Sequence, residues 1–129
     1  MGRKKAKSKE LLTELELEVM QALWDLGEGT VKDVQTKMTG RELAYTSVAT
    51  VLKILETKKI VSSQKTERAL IYRPLVTRDK YETKSVQHLL GRILRSSPSK
   101  LVMRLLNDSD FSSDELESIR NLLDERLRK

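Results

Sequence analysis

Leu15, Val19, Leu23 and Leu26, with Met20 and Trp24 beside them, recur at intervals of three and four residues, and this spacing predicts an amphipathic helix. Thr13 stands before it with Glu16 three residues on, the pattern of a capping box, and Gly27 and Gly29 follow as stops. A second helix is expected from Thr30, with Asp33 at its third position and Val31, Val34 and Met38 facing inward. A third begins near Tyr45. Val48, Leu52 and Leu55, flanked by Val51, form its apolar stripe, while Thr46, Thr50 and Lys53 share the opposite face with Ser47 and Ile54 beside them. The period then changes. Residues 60–64 and 69–74 are β-branched or aromatic runs separated by Lys65-Thr66-Glu67-Arg68, which predicts a hairpin with a basic tip.

Beyond Val76 the pattern is helical alone. Thr77 is placed to cap a helix running to about Arg95, with Tyr81, Leu89, Leu90, Ile93 and Leu94 apolar. Ser97-Pro98 is a cap followed by proline at the first helical position, where its missing N–H costs nothing. Leu101, Val102, Leu105 and Leu106 supply that helix's apolar face. Ser112 and Glu115 open a last helix carrying Leu116, Ile119, Leu122, Leu123 and Leu127. Three helices this small rarely build a core of their own. Their faces therefore call for cover, either from an identical copy burying Leu101, Leu105, Leu116, Ile119, Leu123 and Leu127 or from the chain's own N-terminal domain.

The expected fold class is mainly α with a small β-hairpin. A basic tail (1–11) precedes a winged helix-turn-helix DNA-binding domain (12–76) and a three-helix dimerisation domain (77–129). A polar-faced helix to lie in a groove, beside a hairpin to grip the backbone, is how winged helices hold DNA.

Charge sharpens that picture. The net charge is +6 over 129 residues. Residues 1–9 carry five basic groups and no acid, and they read as a basic tail or as a plain solubility segment. Residues 10–43 carry three basic and eight acidic groups, whereas residues 44–76 carry six basic and two acidic. The half expected to meet phosphate is thus the basic half. A protein–protein docking module is the alternative reading of a winged helix, and this charge balance argues against it.

Other chemistries find little support. The chain has no cysteine, so disulfides, thiolate metal sites and cysteine nucleophiles are excluded. His88 is the single histidine and sits among apolar neighbours on a predicted helix, as a packed or interface residue does. No glycine-rich phosphate loop or nucleophile elbow occurs, and the carboxylates fall in helix faces and first turns, where they solvate and cap. No enzyme activity, metal or cofactor is expected. The N-terminal residues lead into no apolar stretch of the secretory kind, and no apolar run approaches a membrane span, so a cytoplasmic location without membrane insertion is expected.

With these residues in view, the sequence resembles the penicillinase-repressor family, the β-lactamase and methicillin-resistance repressors with their copper-responsive relatives. The likeness lies in LTELELEVMQALWDLGEGTVKDV, AYTSVATVLKILE, YRPLVTRDKY and SDELESIRNLLD, and it spans roughly Leu12 to Leu123. It implies a homodimeric repressor that occupies a palindromic operator in double-stranded DNA, with the third helix in the major groove. Carried over by position, Thr46, Ser47, Thr50 and Lys53 would face DNA, and Lys65, Arg68 and Arg73 would serve the wing. Tyr72 could join them or pack in the core behind the helix. Some relatives are inactivated when a membrane sensor protease triggers cleavage in the dimerisation domain. The matching bond here joins Arg104 and Leu105, without the Asn-Phe pair of the best-known targets. Copper-sensing relatives use C-terminal cysteine pairs, which this chain lacks. Ile54 stands where relatives usually carry Arg, Lys59 where they carry Gly, and the KTER tip replaces a more usual Asp-Gly turn.

Overall fold

The computed structural model describes residues 11–95 and 97–129, so the expected basic tail lies outside the described residues except for Leu11. Helix α1 spans Glu14–Leu26, α2 Val31–Lys37 and α3 Tyr45–Thr57; strands β1 (Val61–Lys65) and β2 (Leu70–Pro74) follow, then α4 (Arg78–His88). A π-helical stretch (Leu89–Leu94), α5 (Pro98–Asp108) and α6 (Ser113–Arg128) complete the order. The residues fall into two compact units, one ending at Ser85 and the other beginning at Val86.

Local chemistry sets the helix ends. In α1 the Thr13 hydroxyl accepts from the Glu16 N–H while the Glu16 carboxylate accepts from the Thr13 N–H, and Gly27 closes the helix at φ 86°. Left-handed backbone of that kind suits a residue without Cβ. Reciprocal boxes also open α2 (Thr30 with Asp33) and α6 (Ser112 with Glu115). Ser97 and Pro98 start α5 as the sequence predicts.

The core of the first unit draws on each of its main elements. Val19, Met20, Ala22 and Leu23 from α1 meet Val31 and Val34 from α2 and Val48, Val51, Leu52 and Leu55 from α3, with Val61 and Tyr72 from the hairpin. A row of buried side chains on one side of α3 therefore fixes which side remains outside.

The hairpin is antiparallel, with Ser63 opposite Tyr72 and Lys65 opposite Leu70. Its turn lies one residue later than the sequence pattern suggests, because Thr66 builds it. Thr66 N–H and its hydroxyl both donate to the Ala69 carbonyl, and the same hydroxyl oxygen accepts from the Ala69 N–H. A hydroxyl that closes the backbone locally can stand in for an Asp-Gly turn. Behind the hairpin, Gly29 pairs with Tyr72 through N–H···O bonds of 3.0 and 2.8 Å, adding a third chain segment to the sheet. A Cβ on Gly29 would lie 3.0 Å from that of Asp33, a tight contact that glycine avoids at the start of α2.

After α3 the chain turns in a Schellman motif. Ile60 N–H donates to the Leu55 carbonyl and Lys59 N–H to the Glu56 carbonyl, with Lys59 at φ 65°. A side chain in that conformation costs about 1 kcal/mol or more relative to glycine. Lys59→Gly should therefore stabilise the head by about 1 kcal/mol, raising its melting temperature by about 4–8 °C. An unchanged or lower melting temperature would show that the turn is not strained.

In the second unit the sequence predicts one helix to about Arg95, but the α-helical hydrogen bonding gives way to a π-helical stretch after His88. Gly91, among the poorest helix formers, lies within that stretch, and Arg95 ends it in left-handed backbone.

Candidate nucleic-acid interface

The burial of Val48, Val51, Leu52 and Leu55 turns Thr46, Ser47, Thr50 and Lys53 outward, and all four are exposed. Thr57 extends the same row by one further turn. It lies outside the set expected from the sequence, although its i+4 spacing from Lys53 is the same signal. Thr50 and Thr57 each donate a hydroxyl hydrogen to the carbonyl one turn back, Thr46 at 2.8 Å and Lys53 at 3.1 Å. Both threonines therefore offer an acceptor oxygen and a methyl group outward, not a donor. Ile54 is 42% exposed at the edge of this strip.

Lys65 and Arg68 are exposed at the hairpin tip, and neither forms an ion pair with a described acidic residue. Arg73 is placed differently. Its Nε and Nη1 donate to Glu28 and Gln64, each at 2.6 Å. The pairing of Gly29 with Tyr72 brings Glu28 beside β2, a contact 45 residues apart in sequence that no local pattern announces. An exposed pair of this type contributes about 1 kcal/mol at most. Arg73 can therefore exchange Glu28 for another anion at small cost.

Tyr72 is a core residue, 2% exposed. Burial, then the nearby Glu56 and Tyr45, raise its phenol above the ordinary value of 10.0.

The strip is anchored from behind. Lys58, at the end of α3, donates to Glu16 Oε2 at 2.8 Å, while Glu16 also caps α1. Burial pushes the Glu16 carboxyl up, but the Lys58 ammonium and the Thr13 donors outweigh it and hold the group below 4.5. A lowered carboxyl adds stability above its unfolded-state value, and that stability is lost as pH falls through the folded-state value. Asp25, lowered first by its bond from Arg78, acts in the same direction. The head should thus lose stability as pH falls below about 4.5, and Glu16→Gln should flatten that decline. Urea midpoints collected from about pH 6 to about pH 3 test this, and parallel slopes for the two proteins would contradict it.

The six C-terminal leucine and isoleucine positions singled out in the sequence lie on α5 and α6. Leu101 and Ile119 are half-buried; Leu105, Leu116, Leu123 and Leu127 are exposed. Arg104 and Leu105 lie inside α5, and both are exposed. Among the described residues, no helix is long and apolar enough to cross a membrane.

Residues 12–125 match the family model described as penicillinase repressor. The chain is 21% identical over 119 residues to the methicillin resistance regulatory protein MecI of Mammaliicoccus sciuri, covering 89% of this chain and 94% of that one. It is 19% identical over 115 residues to the penicillinase repressor of Staphylococcus aureus, covering 88% and 91%. Its fold is similar to that of a MarR family protein from Bacillus stearothermophilus, at a TM-score of 0.50 and 19% identity over 98% of this chain and 84% of that one. Helices α1 to α3 with the hairpin form a winged helix-turn-helix, and the chain belongs to the penicillinase repressor family, whose members are DNA-binding transcriptional repressors and not enzymes.

Proposed function

We propose that two copies of this chain bind a palindromic operator, each placing Thr46, Ser47, Thr50 and Lys53 in the major groove and laying Lys65, Arg68 and Arg73 along the phosphates. The exposed polar strip on α3, directly opposite four buried aliphatic side chains and followed by a basic hairpin tip, carries this reading. Hydroxyl oxygens and methyl groups suit base edges, and lysine and arginine suit phosphate.

The second unit supports the dimer reading. None of the described residues of α4, the π-helical stretch, α5 or α6 is buried, yet Leu105, Leu116, Leu123 and Leu127 stand on them. A second copy burying Leu101, Leu105, Leu116, Ile119, Leu123 and Leu127 would supply the missing core. Release from DNA would follow cleavage between Arg104 and Leu105 by a protease answering to a membrane sensor, since a cut within α5 divides this apolar surface.

Gel retardation of the chain's own promoter region across a salt series tests the DNA reading. Lys65 and Arg68 from two heads should give a slope of log affinity against log salt of about −4, steepening to about −5 where Arg73 trades Glu28 for phosphate. Retention that ignores salt would defeat it.

A further inference from the structure

A cluster of side chains outside the DNA-facing strip converges where the hairpin gives way to α4. Trp24 donates its indole N–H to the Val76 carbonyl at 2.8 Å. The Tyr81 ring lies 5.8 Å from that indole, tilted by 41°, and the Arg78 guanidinium sits 5.5 Å from it on the ring face. Arg78 also pairs with Asp25 at 2.8 Å, and the Tyr81 hydroxyl oxygen accepts from the Leu12 N–H at 3.1 Å.

Covering Trp24 requires only apolar contact. The bonds here are directional as well, and directional bonds fix an angle as well as a contact. Backbone carbonyl, guanidinium, ring and phenol each hold residues 76–81 to α1 or to Leu12 beside it. α4 begins at Arg78, on this root, and runs to His88.

We propose that Trp24, Asp25, Arg78 and Tyr81 are positioning residues that select the separation of the two half-sites the dimer accepts. The inference rests on the homodimer reading above. Two heads joined through α4 engage both half-sites at once only where the exit angle matches their separation. One added base pair shifts a half-site by about 3.4 Å along the duplex and by about a tenth of a turn around it. A firmly held root registers that change, whereas a loosened one accommodates it.

Duplexes carrying two half-sites chosen by the wild-type protein, with spacers one or two base pairs shorter or longer than the best, provide the test. The wild type should weaken by about tenfold or more on a one-base-pair change, and Arg78→Met, Trp24→Phe and Tyr81→Phe should reduce that penalty to about threefold or less. Affinity for a duplex with one half-site should not change. An unaltered spacing penalty in these variants overturns the proposal. If Trp24→Phe fails to fold, Arg78→Met at its exposed position decides. A wild type that binds two half-sites no better than one would instead defeat the homodimer reading itself.

Discussion

Replacing Leu116 and Leu123 together by Glu should convert the protein to a monomer and lower its affinity for a two-half-site operator by about 100- to 10,000-fold. The two positions are seven residues apart on α6, so they share one face, and they are 45% and 52% exposed. Acidic groups on that face would have to be desolvated in a dimer interface without partners. In the monomer they remain in water, so the helix keeps its Ser112–Glu115 cap and the head keeps its core. The loss would come from tethering alone. Two linked heads bind the second half-site at the high effective concentration set by their connection, and a single head forfeits that gain. Sedimentation and operator titration of the same sample test the expectation. A monomeric variant that still binds the operator tightly would contradict it.

Tyr72→Ala should destabilise the head by about 3–5 kcal/mol, the cost of emptying a large buried aromatic site. Folded domains hold only about 0.05–0.15 kcal/mol per residue in reserve, about 4–11 kcal/mol for a head of this size, so the variant should lose a large part of its stability. Tyr72→Phe keeps the ring, and its operator affinity should lie within about twofold of the wild type. The pair of variants separates the two roles the sequence left open. As alanine, a DNA-contacting tyrosine would keep the stability and lose affinity, whereas a core tyrosine loses stability. Urea melts of both proteins beside a binding titration of Tyr72→Phe decide between them, and a Tyr72→Ala head as stable as the wild type would refute the core role.

What was legible in the sequence was local. Thr13 with Glu16, Thr30 with Asp33, Ser97 with Pro98 and Ser112 with Glu115 each lie within three residues, and each helix begins where they place it. The outward strip of α3 follows from a 3.6-residue period for the same reason. Contacts between distant segments were not legible. The bond from Lys58 to Glu16, the capture of Arg73 by Glu28 and the bond of Leu12 to Tyr81 join residues 42, 45 and 69 positions apart. None leaves a periodic trace in either partner's neighbourhood. The hairpin turn lies one residue later than the β-branched runs indicate because a threonine hydroxyl, not a glycine, closes it. The π-helical stretch escaped because Leu89, Leu90, Ile93 and Leu94 fit an α-helical period equally well.

In the proposed complex the outer side of α3 reads bases while the hairpin grips the backbone. Selection of preferred duplexes from a random pool, repeated for the wild type, Thr50→Ala and the double variant Lys65→Ala with Arg68→Ala, tests it most directly. Thr50→Ala should change the preference at one position in each half-site, worth about 1–3 kcal/mol of discrimination, with the other positions kept. The hairpin variant should weaken binding to all duplexes alike and leave the preferred sequence as it was. An unchanged preference for Thr50→Ala, with the hairpin variant altering it instead, would contradict the account.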